Sequence, residues 1–130
     1  MKVTEVRIGN WVYTEKRHFI KVSSISNDFG IMCITHIPEN NCFPIPLSRN
    51  IIQKCGFEEV GIYENVYHKD NIRVHFDKNC KEENEETDSV LFIIYGENDS
   101  AFSKEVLSLH ELQNLYFALS GKELELECLI

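Results

Sequence analysis

Arg7, Trp11, Tyr13, Lys16, Arg17 and Lys21 place four cations and two aromatic rings within fifteen residues of sequence. Rings that stack on a base and cations that meet phosphate are how small β proteins hold nucleotides and single strands. Arg7, Trp11, Tyr13, Arg17 and Lys21 are therefore the candidate ligand-binding residues, for a small anionic ligand of nucleotide type. The competing structural role is equally plain: Trp11 stands next to a Gly9-Asn10 bend, where a large ring closes a core.

Histidines and cysteines offer less. His68 and His75 flank a turn at Lys69 to Asn71, where a hairpin brings them near one another for titration or ligand binding. His110 opens a helix beside Glu111, a surface or capping position, and no nucleophile is spaced for it to activate. Cys33, His36 and Cys42 are ligand types that suit zinc. A strand over 30–37, however, would turn Cys33 and His36 to opposite faces. Five cysteines at irregular spacing, none in a C-x-x-C arrangement, read as reduced thiols. No phosphate-cradling glycine loop, nucleophile elbow or diagnostic carboxylate pair occurs. An enzyme built on His68, His75 or His110 is the weakest reading. The residues name no catalytic group, resident metal or cofactor.

The formal charge of −8 is polarised along the chain. Residues 1–57 carry seven Lys or Arg against four acids, and residues 58–130 carry six against seventeen. Phosphate repels such a molecule at long range, so nonspecific duplex binding is not expected, while a local basic face in the first half still suits an anion. The longest apolar run, Val90 to Tyr95, is of strand length, and the first residues lack a secretory leader pattern, so a cytoplasmic protein off the membrane is expected. With 130 residues and 43% hydrophobic content, one domain is predicted.

The elements that would position these residues are short. Val6 to Tyr13 alternates, with Val6, Ile8 and Val12 turned one way. From His18 to Ile25, Phe19, Lys21 and Ser23 oppose Ile20 and Val22, and Asn27 to Gly30 is a turn. A third strand over 30–37 completes a small-barrel-like antiparallel meander within 1–46. Pro44 and Pro46 break it, each lacking an amide donor. In the α+β part, 47–130, Ser48 caps a short helix carrying Ile51, Ile52 and Cys55, stopped by Gly56 with Phe57 packing back. A second antiparallel sheet follows: strands near 60–68 and 71–76, with Ile72, Val74 and Phe76 on the core face, and a central strand over Val90 to Tyr95. Residues 77–88 form an acidic loop without an aliphatic residue.

The clearest element is the last helix. Ser108 and Glu111 read as a capping box, Leu109, Leu112, Leu115, Tyr116 and Leu119 make an apolar stripe, and Gly121 suits a left-handed cap. Beyond it, Glu123 to Cys128 alternates acids with Leu124, Leu126 and Cys128, as a half-buried strand or a tail able to extend a sheet edge. The predicted fold class is α+β: an N-terminal antiparallel small-barrel-like meander, a short helix, a second antiparallel sheet and one long, packed C-terminal helix.

Four blocks carry a resemblance: Val6-Arg-Ile-Gly-Asn-Trp-Val12, Pro44-Ile-Pro-Leu47, Ile51 to Phe57 as Ile-Ile-Gln-Lys-Cys-Gly-Phe, and Leu109 to Leu124 as Leu-His-Glu-Leu-Gln-Asn-Leu-Tyr-Phe-Ala-Leu-Ser-Gly-Lys-Glu-Leu. In that order, over most of the chain, they resemble an uncharacterised family of small proteins from Bacteroides-type bacteria and their phages and mobile elements. The resemblance implies an accessory or host-modulating role and assigns no residue a function. The leading expectation is thus a non-enzymatic interaction protein that binds a host protein or assembles with itself, its acidic half complementing a basic partner. Capture of a nucleotide, as in sequestration of a signalling one, is the alternative.

Overall fold

The computed structural model describes residues 1–61, 65–70, 72–76, 90–95, 101–124 and 126, and for 90–95, 101 and 102 the backbone alone. The acidic loop expected over 77–88, the turn at 96–100 and most of the Glu123 to Cys128 segment lie outside the described residues. The fold is α+β with antiparallel sheets, as the sequence predicts. Two compact units divide it: residues 1–45 with 108–123, and residues 46–107 with 124–129. The long helix, grouped from sequence with the second sheet, belongs with the N-terminal strands.

The first unit contains two three-stranded sheets, and no barrel closes among its described strands. In one, β1 (Trp11–Thr14) is central, flanked by β2 (Phe19–Lys21) and, after three intervening strands, β6 (Cys42–Phe43). In the other, β3 (Ile25–Asp28), β4 (Ile31–Ile34) and β5 (Ile37–Pro38) follow in order. The meander is split because the chain leaves the first sheet after Lys21 and returns to it only at Cys42. Val6, Val12, Val22, Ile34 and Cys42 form the core of this unit, with Met1, Val3, Ile20 and Ile37 packed against it.

Two expectations change here. Ile8 does not share a face with Val6 and Val12; it is 60% exposed, because Gly9 adopts φ +99° and reverses the chain before β1 begins. The expected strand over 30–37 is two strands. Thr35 and His36 both take positive φ, 50° and 62°, forming the two-residue hairpin between Ile34 and Ile37. The Thr35 side chain and amide are held there by Ser23 N–H, which donates to Oγ1 at 3.0 Å, and by the Ser24 carbonyl at 2.8 Å. His36 is consequently on an exposed turn near Asp28 (3.5 Å), while Cys33 is buried. Among the described residues no group of three His, Cys, Asp or Glu could hold a metal ion.

In the second unit, α1 (Arg49–Lys54) follows its expected signals. Ser48 Oγ accepts the Ile51 amide at 3.2 Å. At the other end Gly56, at φ +90°, donates to Gln53 O, and Phe57 donates to Ile52 O, which is the paired-bond stop of a left-handed cap. A five-stranded antiparallel sheet follows, with β7 (Glu58–Glu59), β8 (Val66–Lys69), β9 (Ile72–His75), β10 (Val90–Tyr95) and β11 (Ala101–Val106) in the order β11-β10-β9-β8-β7. Ile72, Val74 and Phe76 are buried as predicted, and β10 is interior to the sheet. The sequence reading missed β11: Ser103, Lys104 and Glu105 are exposed on a strand that, among the described strands, pairs with β10 alone, so it carries an edge's polarity.

The last helix, α2 (Leu109–Ser120), ends as expected in Gly121 at φ +73°, whose amide donates to Phe117 O. Its start differs. The Ser108 side chain makes no capping bond; its hydroxyl shares a hydrogen bond of 3.0 Å with His110 Nδ1, and no capping box forms. The buried stripe is rotated as well. Leu109, Leu112 and Tyr116 are buried together with His110 and Gln113, whereas Leu115 is half-buried and Leu119 is 39% exposed. Among the described residues no helix is long and apolar enough to cross a membrane.

Candidate functional site

The antiparallel register of the first sheet decides what its two faces carry. Trp11 stands opposite Lys21, Val12 opposite Ile20, and Tyr13 opposite Phe19 on one side and Phe43 on the other. Directly opposed residues point the same way and successive residues alternate. Val12 and Cys42 therefore enter the core with Ile20 against them, which turns Trp11, Tyr13, Phe19, Phe43 and Lys21 to the outer face. Phe19, Tyr13 and Phe43 make one row across all three strands, and Trp11 with Lys21 forms the next row.

On this face Tyr13 and Phe19 meet at 5.0 Å between centroids, tilted by 51°. Trp11, Tyr13 and Phe19 are half-buried and Phe43 is 43% exposed. The turn joining β1 to β2 adds charge. Arg17 occupies the left-handed position (φ 58°) of a three-residue loop, a place that glycine favours, and its guanidinium lies 6.0 Å from the Tyr13 ring centroid. Lys16, Arg17, His18 and Lys21 are exposed, with Glu15 the one acid of the turn. A shallow open depression beside the turn is lined by Thr14, Glu15, Lys16, Ile37 and Asn41. Its single lysine and single glutamate oppose each other, so it attracts neither sign of charge strongly.

No protein-family model, curated protein or solved structure matches this chain.

Four of the five candidate residues, Trp11, Tyr13, Arg17 and Lys21, come together at this face. Arg7 has other work. Its guanidinium lies 4.5 Å from the Phe117 ring centroid, pairs with both Glu123 carboxylate oxygens, and donates through Nε to Asn114 Oδ1 at 3.1 Å. The sequence reading also missed Phe43, which is separated from β1 by four strands and followed by Pro44. Its only local signal is alternation with the buried Cys42.

The polar groups that set β1 in place come from α2. Gln113, only 1% exposed, accepts the Trp11 amide at 2.9 Å through Oε1 and donates to Gly9 O at 3.2 Å through Nε2. Asn10, wholly buried, accepts the Arg7 amide at 2.8 Å and donates to Asn114 Oδ1 at 2.9 Å. Buried amides satisfied in this way fix one chain path, since each unmade bond would carry a desolvation cost. Residues 7 to 11 and 113 to 114 are thus joined by direct hydrogen bonds.

The histidines do not assemble a reaction centre. His68 pairs with Arg73 and His75 with Val66, so the two histidines stand diagonally on one face. Burial, and then Arg73, lower the pKa of His75. His110, expected at the surface, is 5% exposed; burial lowers its pKa against the weaker upward pull of Glu111 and Glu5. The Cys55 thiol is pushed up to about 12 by burial, which keeps it protonated and unreactive.

Proposed function

We propose that the protein is a non-enzymatic binding protein that holds a ligand bearing an aromatic base and a phosphate on the outer face of the β2-β1-β6 sheet. The observation carrying this reading is the register that sets Trp11, Tyr13, Phe19, Phe43 and Lys21 on one face. Base stacking on such rings contributes about 1–3 kcal/mol per base. Arg17 and Lys21 supply cations for the phosphate. The family resemblance adds a setting, an accessory protein of a phage or mobile element that sequesters a host nucleotide or engages a host component.

Trp11 is the only tryptophan in the chain, so its fluorescence reports on the proposed face directly. Titration with a nucleoside monophosphate should quench Trp11 emission saturably, and Arg17→Ala with Lys21→Ala should abolish the effect. Equal quenching by inorganic phosphate, or none by the nucleotide, counts against the reading.

A protein partner or self-assembly is favoured by a separate observation. Phe29, fully exposed, tips the β3–β4 hairpin in a left-handed conformation (φ 55°), with Ile31 53% exposed beside it. If that tip seats in a second copy, sedimentation velocity will show a concentration-dependent dimer that Phe29→Ser abolishes. A monomer at all concentrations removes self-assembly through this hairpin.

A further inference from the structure

Resting on the reading just proposed, we infer that the ligand is a single strand of nucleic acid occupying the row Phe19–Tyr13–Phe43 with at least two successive bases, rather than one mononucleotide. The row crosses three hydrogen-bonded strands, because Tyr13 is directly opposite Phe19 on β2 and Phe43 on β6. Adjacent strands lie about 4.8 Å apart, so the outer rings of the row are roughly 10 Å apart at the backbone, more than one base can cover. Sheet faces that expose aromatic rows of this width stack two or three unpaired bases.

Charge is arranged to suit such an occupant. Cations flank the row on both sides along β1: Lys21 beside Trp11 before the row, Lys16 and Arg17 in the turn after it. A strand laid across the sheet would hold its bases over the rings and its phosphates along these flanks. No carboxylate belongs to either aromatic row, and the nearest acid in the turn is Glu15. A duplex keeps its bases stacked on each other, away from flat aromatic faces, and the net charge of −8 repels its denser phosphate array. Phe43 separates the two ligand classes. A mononucleotide held by Trp11, Tyr13 and Lys21 has no need of a ring on β6, whereas a second base does.

The experiment is a length series of 5′-phosphorylated oligothymidylates of one, two, three and six residues. Each is titrated into the full chain and followed by Trp11 quenching, and the labelled hexamer is followed by anisotropy. Affinity should rise at least tenfold from one to three residues and then level. Phe43→Ala, whose melting temperature is measured alongside, should lower hexamer affinity at least fivefold, a larger factor than any loss it causes for the mononucleotide. The logarithm of the hexamer association constant should fall against the logarithm of salt concentration with a slope of about −1.4 to −2, the value for two or three phosphates engaged. Equal affinity at every length, or a Phe43→Ala protein with unaltered hexamer binding, overturns the single-strand assignment while the base-and-phosphate reading survives. Absence of binding at all lengths overturns both.

Discussion

Gln113 on α2 accepts the backbone amide of Trp11 at 2.9 Å, so a buried helix side chain sets the first residue of the strand that carries the aromatic row. The same side chain donates to Gly9 O, and neither of its polar ends faces water. Removing it exposes no surface to solvent in exchange.

Gln113→Ala should therefore destabilise the protein by about 2–4 kcal/mol, since the Trp11 amide and Gly9 carbonyl both lose their partner in a buried place. Gln113→Glu is the sharper variant. Its carboxylate still accepts from Trp11 but has no hydrogen to offer Gly9, and burying the charge is costly. Protonation restores the donor, so the stability of Gln113→Glu relative to wild type should improve as pH falls toward 5. Thermal unfolding across pH measures this; a constant difference between the two proteins would refute the role assigned to the amide.

Leu112→Ala, at a fully buried position of α2, should cost about 2–5 kcal/mol through lost burial and the cavity left behind. Leu115→Ala, which apolar spacing alone ranks as its equal, should cost about 1 kcal/mol because that residue is half-exposed. Urea unfolding of the two variants tests the rotated stripe: equal losses would return Leu115 to the core.

The difference between Leu112 and Leu115 marks how far the sequence could be read. Caps and turns are decided locally, so Ser48, Gly56 and Gly121 behave as their residue types require. Alternation found the core face of β9 and the Phe19 and Lys21 face of β2 for the same reason. What depends on a distant partner was not legible. Gln113 and His110 lie on the buried side of α2 because Gly9, Trp11 and Ser108 supply hydrogen bonds, and no periodicity of apolar residues shows that. Phe43 joins the aromatic row through a strand of two residues that pairs with β1 across 29 intervening residues of sequence, from Tyr13 to Phe43. Arg7 read as a ligand cation because the carboxylate that engages it, Glu123, lies 116 residues away in sequence.

The Arg7–Glu123 pair is partly exposed, with side-chain accessibilities of 31% and 47%. A double-mutant cycle with Arg7→Met and Glu123→Gln should give a coupling of about 0.2–1 kcal/mol, falling by half or more in molar salt. Arg7→Lys should not restore it, because an ammonium provides neither the two-pronged contact to Glu123 nor the flat face over Phe117. Full rescue by lysine would reduce the contact to simple charge attraction.

Acid should destabilise the wild-type protein through His110 and His75, whose pKa values are both lowered from 6.5. Above that value the imidazoles are neutral in both folded and unfolded chains, and pH has no effect through them. Below it the unfolded chain binds protons that the folded one refuses, so stability falls with pH until the lower folded pKa values are passed. His110, at 5% exposure and hydrogen-bonded to Ser108, should account for more of the slope than the half-buried His75. Urea unfolding between pH 8 and pH 5 in wild type, His110→Gln and His75→Gln separates the two contributions. A wild-type slope retained undiminished in His110→Gln would mean that the buried imidazole is not what resists the proton.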